Sequence, residues 1–311
     1  RNQVHDVAGI IGADAARDAL AQFVRAGNPL VAILEDDIEL PCLRRSDIEA
    51  LENRPGAVEQ SLARTAFAAA GPEAGLVETG TFETGFRWGI TPYLELSLFD
   101  GDAPVRGETG LEFSARYDFS PNLTLSGAVR QSLYSGFDDV GSISASTLPA
   151  VRRDRVAYAV EGDPGIEYLT LAWHGRLAPD FYGRATVGYL ERMYGGVSTE
   201  VLWKPVDSPL ALGAEVNYVQ KRDYDMLFGF QDYDVVTGHV SAYYDFGQGW
   251  HGQLDVGRYL AGDVGATVTL DREFENGWSV GGYFTLTDVS AEEFGEGSFD
   301  KGIRVTMPLD W

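Results

Sequence analysis

The chain has 311 residues, of which 37 are glycine, 15 tyrosine and 16 phenylalanine, and it carries a formal net charge of −23. This acidic balance excludes nucleic acid as a partner, because no basic stripe is available to neutralise phosphates. No apolar run approaches the ~18 residues that a membrane-spanning helix needs. If the chain crosses a bilayer, it must therefore do so as a closed β-barrel.

Residues 1–56 are predicted to form a small α/β module. The segment 14–28 has the apolar spacing of an amphipathic helix, and 29–37 is a short apolar run typical of a strand. The acidic residues at 35–39 are interpreted as a solvated strand end, since no histidine at ligand spacing accompanies them. Residues 57–80 are interpreted as a linker or as the region of a first strand.

From residue 81 to 311, apolar residues recur at every second position. In one such stretch Leu212 and Val216 alternate with Glu215 and Asn217. The stretches are roughly as long as a tilted strand must be to cross a bilayer core. Short and longer connections also alternate, as they do between the two ends of an outer-membrane barrel. The pattern predicts a mainly β fold, a transmembrane antiparallel β-barrel of about 12 strands that follows the α/β module.

Two alternatives to this fold stay open at the level of sequence. A break at Thr91–Pro92, together with a further strand near 59–67, would give about 14 strands. A soluble β-sandwich or a lipocalin-like barrel would also alternate, because one face of each strand would be buried in its core. Such a protein has no need of the aromatic residues that occur near many of the predicted strand ends, among them Trp173 and Trp250.

Several sequence boxes resemble those of the YjbH family of Gram-negative outer-membrane proteins, which are associated with exopolysaccharide production and export. The most specific boxes are "GRYLAGD" at 257–263 and "FGEGSFDKGI" at 294–303. The others are "GYLERMYGG" (188–196), "EVLWKP" (200–205), "LGAEVNYVQKRDYD" (212–225), "TGH" (237–239) and the looser "LPAVRRD" (148–154). The resemblance implies a barrel in the outer membrane, with the N-terminal module in the periplasm. It also implies three partners: outer-membrane lipid, a polysaccharide and periplasmic export or assembly proteins.

The polar faces of the predicted strands carry charges of both signs and are expected to line the interior of the barrel. This lining is interpreted either as a hydrophilic path for a sugar polymer or as a salt-bridge network that fills a narrow barrel. The connection 135–164 is long enough to fold inward or to form a lid. The candidate lining residues are Glu112, Arg116, Arg130, His174, Arg176, Arg184, Glu200, Glu215, His239, Asp255, Asp271 and Arg304.

Motifs for catalysis or metal binding are absent from the sequence. The four histidines show no metal-ligand spacing, and no nucleophile-elbow motif is present. The sequence therefore predicts no catalytic residue, no metal site and no cofactor, and we do not expect an enzyme. Two alternatives to an export path remain: a non-conducting membrane scaffold for a periplasmic secretion partner, and a barrel enzyme that modifies polysaccharide.

Overall fold

The computed structural model describes residues 30–31, 34–35, 38–39, 43–44, 84–98, 105–137, 148–290 and 299–307. The predicted helix at 14–28, the region 57–80 and the larger part of the "FGEGSFDKGI" box lie outside these ranges. In the N-terminal region the described residues form two short antiparallel ladders. Leu30–Val31 pairs with Leu43–Arg44, and Leu34–Glu35 pairs with Ile38–Glu39.

From residue 84 onward, the described residues form one antiparallel sheet of twelve strands that pair in chain order. The predicted mainly β fold and its strand number are therefore confirmed. Helix α1 spans Arg155–Glu161, and no helix within the described ranges is long and apolar enough to cross a membrane. The strands are β1 Gly85–Leu98, β2 Val105–Ser120, β3 Leu123–Ser135, β4 Gly165–Ala178, β5 Phe181–Tyr189, β6 Tyr194–Trp203, β7 Leu210–Arg222, β8 Phe230–Gly247, β9 Trp250–Arg258, β10 Val264–Glu273, β11 Ser279–Thr287 and β12 Asp300–Thr306.

Strand β1 runs without interruption through Pro92, which lies opposite Leu111 of β2. The alternative of a break at Thr91–Pro92 is therefore wrong. Proline cannot donate a ladder hydrogen bond, but it is tolerated on the outermost strand of a sheet, where one side of the backbone has no partner strand. The additional strand of that alternative, near 59–67, lies outside the described residues.

Side chains alternate between the two faces of the sheet as the sequence predicts. In β7, Leu212, Val216 and Tyr218 are exposed on the outer face, whereas Glu215 and Asn217 are partly buried on the inner face. The same alternation continues along the neighbouring strands, so that the sheet has an apolar outer face and a polar inner face.

The sheet curls, and its inner face is concave. Glu95 Oε2 on β1 lies 3.2 Å from an Arg192 guanidinium nitrogen in the connection after β5. In a flat sheet, four inter-strand spacings would hold these two strands about 19 Å apart. The curl does not close the sheet within the described residues, where no ladder joins β1 to β12 and each of these strands keeps one unpaired edge.

The connections differ between the two ends of the strands. At one end, which we call the turn end, β2 and β3 are joined by residues 121–122, and β8 and β9 by residues 248–249. The opposite end, which we call the loop end, carries the connections 136–164 and 223–229. Because the number of strands is even, the start of β1 and the end of β12 both lie at the turn end.

Helix α1 and the residues before it fold inward over the loop end. Tyr158 of α1 is fully buried in a cluster with Met193, Tyr194, Val219, Met226 and Val235. Val219 and Val235 are inner-face residues of β7 and β8, so the long connection packs against the inside of the sheet. We call residues 148–162, 190–193 and 223–229 the cap.

Candidate functional site

A groove of about 390 Å³ runs along the inner face of the sheet, from the cap toward the middle of the strands. Strands β4 to β9 form its walls, and Arg152, Leu190 and Leu260 line it at the loop end. Its volume falls within the roughly 300–1,000 Å³ typical of small-ligand sites. Most of its lining residues have polar side chains, Tyr168 and Tyr243 among them.

Five of the predicted lining residues form a continuous row across this groove, which we call the charge row. In the antiparallel ladders His174 lies opposite Arg184, Arg184 opposite Glu200, Glu200 opposite Glu215, and Glu215 opposite His239. Arg184 Nε donates to Glu200 Oε2 at 3.1 Å, and His239 Nδ1 lies 3.0 Å from Glu215 Oε1. Two carboxylates therefore face each other at the centre of the row, each with a basic partner on its outer side.

The groove carries more carboxylates than guanidinium groups. Asp255, another predicted lining residue, accepts hydrogen bonds from Ser241 Oγ at 2.6 Å and from Gln253 Nε2 at 2.8 Å. At the loop end Arg152 pairs with Glu191 at 2.7 Å. Among the described residues, the charged groups that line the groove are the carboxylates of Glu191, Glu200, Glu215 and Asp255 and the guanidinium groups of Arg152 and Arg184.

Glu112 and Arg130 lie outside the groove, in a second cluster beside β1. Arg130 Nε donates to Glu112 Oε2 at 2.8 Å. Arg192 extends the cluster, with guanidinium contacts of 2.9 Å to Glu167 and 3.2 Å to Glu95. Burial alone would lower the pKa of Arg192, but the neighbouring carboxylates Glu167 and Glu95 raise it. The guanidinium is therefore held charged within the cluster.

Arg116 and Arg176 lie closer to the turn end and do not line the groove. Arg116 Nε donates to Asp118 Oδ1 at 2.8 Å, and the buried Asp118 also accepts a hydrogen bond from Arg87. Arg176 lies opposite Tyr182 in the ladder between β4 and β5. These residues share the inner face with the charge row, but the structure does not bring them into it.

Asp271 and Arg304 pair across an intervening strand. Asp271 lies opposite Gly281, and Gly281 lies opposite Arg304, yet an Arg304 guanidinium nitrogen donates to Asp271 Oδ2 at 2.8 Å. A Cβ atom at position 281 would lie 1.5 Å from Asp271 Oδ1. The pair therefore depends on a glycine, because the carboxylate passes directly over the backbone of β11.

Polar contacts bind the cap to the inner face. Lys221 of β7 forms an ion pair with Asp154 and donates to the Ala150 carbonyl. Tyr224 donates to Asp154 Oδ2 at 2.9 Å. Burial, together with this hydrogen bond, raises the pKa of Tyr224 to about 12. Burial likewise raises the pKa of Tyr158, so both phenols stay neutral and keep their hydrogen-bond donors.

Arg222 joins two connections of the cap to the start of β4. Its side chain is fully buried, and its guanidinium donates to the carbonyl oxygens of Ile166 at 2.8 Å, Glu191 at 2.9 Å and Met226 at 2.6 Å. A buried charge is tolerated only where such hydrogen bonds replace water. The backbone of these connections is thereby fixed around one side chain.

Several of these residues were not predicted. Glu95 follows the alternation of β1 and could have been found from the pattern. Glu167 could not have been found in this way. It is the extra residue at a β-bulge where the pairing of β3 and β4 shifts, and a bulge changes the direction of the side chain. Arg192, Lys221 and Arg222 lie within the "GYLERMYGG" and "LGAEVNYVQKRDYD" boxes, but nothing in the sequence shows that these boxes meet in one cap.

Within the described part of the chain, no group of three or more histidine, cysteine or acidic side chains is placed to hold a metal ion. The role of the twelve predicted residues as a polymer path stays a prediction. What the structure adds is their arrangement: six line the groove, five of these as the charge row, and Glu112, Arg116, Arg130, Asp271 and Arg304 belong to smaller ion-paired clusters.

The chain is similar to known proteins over most of its length. A family model described as "Exopolysaccharide biosynthesis protein YbjH" matches residues 31–311. The "Uncharacterized lipoprotein YjbH" of Escherichia coli K12 is 34% identical over an alignment of 300 residues, which covers 91% of this chain and 42% of that protein. The chain thus spans about two fifths of the length of this relative.

Two solved structures of OmpT, an outer membrane protein of Vibrio cholerae, align with the chain at 12% identity and a TM-score of 0.24. The variant that lacks loop L8 aligns over 66% of this chain and 93% of its own, and the in-vitro folded trimer form over 72% and 94%. The fold assignment rests instead on the strand ladders of the chain itself. The family match, which covers the whole described sheet, shows that the chain belongs to the YjbH family.

Proposed function

We propose that the chain is the membrane-embedded part of an exopolysaccharide export system in a Gram-negative outer membrane, and that it acts without catalysis or cofactor. The observation that carries this proposal is the contrast between the two faces of the sheet. The outer face exposes an apolar surface that water would not tolerate over such an extent, while the inner face is polar and concave. Membership of a family described by exopolysaccharide biosynthesis supplies the substrate class.

The height of the apolar surface supports a bilayer location. On β8 the outward residues from Val236 to Phe246 are apolar, and the next outward residues toward the loop end are Asp234 and Asp232, both exposed. Ten residue steps span about 33 Å along a strand. At the tilt of about 40° usual for barrels, the band would be about 25 Å tall, which is the height of the apolar band on outer-membrane barrels.

The unpaired edges of β1 and β12 support a closed form in the membrane. Unpaired backbone groups in hydrocarbon cost several kcal/mol each, so that open sheet edges do not persist there. We therefore propose that β1 and β12 pair with each other when lipid surrounds the sheet. Their turn-end termini would then face the periplasm, as would the N-terminal module and the export or assembly proteins that bind it.

Conductance measurements and a secretion assay test the export role together. Purified protein in planar bilayers is expected to conduct ions, and charge-neutralising variants of Arg116, Arg130 and Arg184 are expected to change its ion selectivity. Cells that lack the protein are expected to lose secreted polymer. Absence of conductance, combined with normal secretion from those cells, would exclude the proposal.

A second candidate function, a non-conducting scaffold, is favoured by the cap and by the ion pairs that fill the inner face. In this version the sheet anchors the N-terminal module, which binds the secretion partner. Removal of residues 1–56 would then abolish secretion and leave the sheet folded, as judged by its heat-dependent mobility in electrophoresis. Normal secretion after this removal would exclude the scaffold function and favour the export path.

A further inference from the structure

The groove beneath the cap has the chemistry of a saccharide site. Sugar hydroxyls pair with planar polar groups that both donate and accept hydrogen bonds, and the apolar faces of sugar rings pack on aromatic rings. Asn217 and Gln253 supply amides that do both, the Asp255 carboxylate supplies acceptors, and Tyr168 and Tyr243 supply rings along the same surface. The ring nitrogen His239 Nε2 is buried there without a hydrogen-bond partner.

The sign of the groove's charge narrows the class of sugar. Each of the two guanidinium groups is already bound to a carboxylate, Arg152 to Glu191 and Arg184 to Glu200. The described lining therefore has two more carboxylates than guanidinium groups; His239 contacts Glu215, and Ser241 donates to Asp255. A uronic-acid polymer would meet like charge at the centre of the charge row, where the surrounding protein screens it less than water does.

We propose that this groove binds a short segment of a non-acidic saccharide, neutral or amino-sugar, and that Glu200 and Glu215 accept hydrogen bonds from its hydroxyl or ammonium groups. This proposal rests on the proposed role in exopolysaccharide export, since that role brings a polymer to the inner face. The cap forms one end of the groove, so the segment enters from the middle of the sheet.

The test is calorimetric titration of the full chain in detergent micelles with three tetrasaccharide probes: a glucosamine oligomer, a maltooligosaccharide and a galacturonic acid oligomer. We expect the glucosamine or maltose probe to bind at least tenfold more tightly than the galacturonate. Equal or tighter binding of galacturonate overturns the proposal, and so does the absence of binding by all three.

Variants locate the site. Glu215→Gln is expected to lower the affinity for the non-acidic probe about tenfold. In the double variant Glu200→Gln with Glu215→Gln, the ratio of the affinity for this probe to the affinity for galacturonate is expected to fall at least tenfold. The matched control is Glu95→Gln, another ion-paired glutamate on the inner face but outside the groove, which should leave binding unchanged. Thermal unfolding checks that each variant is folded. If the control lowers affinity as much as Glu215→Gln, or if neither does, the groove is not the site.

The secretion assay separates this proposal from the one on which it rests. If cells that lack the protein lose secreted polymer but the purified protein binds none of the probes, only the groove proposal fails. If those cells secrete normally, the export role fails, whatever the probes bind.

Discussion

Lys221 of β7 and Asp154 of the cap form an ion pair from which water is almost excluded, with the two side chains 5% and 1% exposed. The two residues are 67 positions apart in the chain. A pair of this kind contributes little to stability relative to two apolar residues, but removal of one partner leaves an uncompensated buried charge. The pair therefore makes the attachment of the cap sensitive to single substitutions.

The first prediction concerns this pair. Lys221→Met should destabilise the protein by about 3–5 kcal/mol, because Asp154 is left buried without its cation. The double variant Lys221→Met with Asp154→Asn should recover a large part of that loss. Urea unfolding in micelles measures both, and equal losses in the single and double variants would contradict the argument.

The second prediction compares two adjacent glycines of β11. Gly281→Ala should cost about 1–3 kcal/mol, because the new methyl group displaces the Asp271 carboxylate and forces its neighbours apart. Gly282→Ala is the matched control. Its Cβ would have Gly302 O at 3.5 Å as its nearest neighbour, so we expect a change within about 0.5 kcal/mol. The thermal unfolding temperatures of the two variants test this prediction. A larger drop in unfolding temperature for Gly282→Ala than for Gly281→Ala would refute it.

The third prediction tests the apolar band. Val240 is 65% exposed near the middle of the band on β8, so Val240→Arg would place a charge in hydrocarbon. We expect a loss of about 2–4 kcal/mol in lipid vesicles. Asp234→Arg lies on the same face beyond the band and should have little effect. The measurement is the yield of each variant inserted into lipid vesicles. Equal yields for the two variants would indicate that the sheet functions in water.

The fourth prediction is a loss of stability at high pH. The pKa of Tyr224 is raised from 10.0 to about 12 in the folded protein by burial and by its hydrogen bond to Asp154. The folded state therefore favours the neutral phenol. This contribution is fully present below pH 10 and is lost as pH rises toward 12. Tyr224→Phe should flatten the fall of unfolding free energy between these values, and an unchanged slope would argue against it.

Away from bulges such as the one at Glu167, the sequence was sufficient to predict which side chains lie on the inner face, because alternation has a period of two and requires only local information. It was not sufficient to predict which of them meet. The charge row depends on the ladders between β4 and β8, and these depend on turn lengths and bulges that single strands do not encode. The pair between Asp271 and Arg304 depends on a glycine in a third strand.

The cap was the least predictable part. The sequence allowed the connection 135–164 to fold inward or to form a lid, without any indication of its partners. One contact of this connection joins Tyr158 to Gln231, which are 73 residues apart in the chain. Pairing over such distances follows from the curl of the sheet, which brings the connections of the loop end together.

The position of Lys221 ties the buried contacts of the cap to the register of β7. Lys221 and Val219 point inward only in the observed pairing of β7 with its neighbours. A slip of one residue would turn both to the outer face, where Lys221 could not reach Asp154. The buried contacts of Asp154 with Lys221 therefore cannot form on a sheet in which β7 has slipped by one residue. The cap thus adds buried contacts that distinguish the observed register of β7 from its one-residue neighbours.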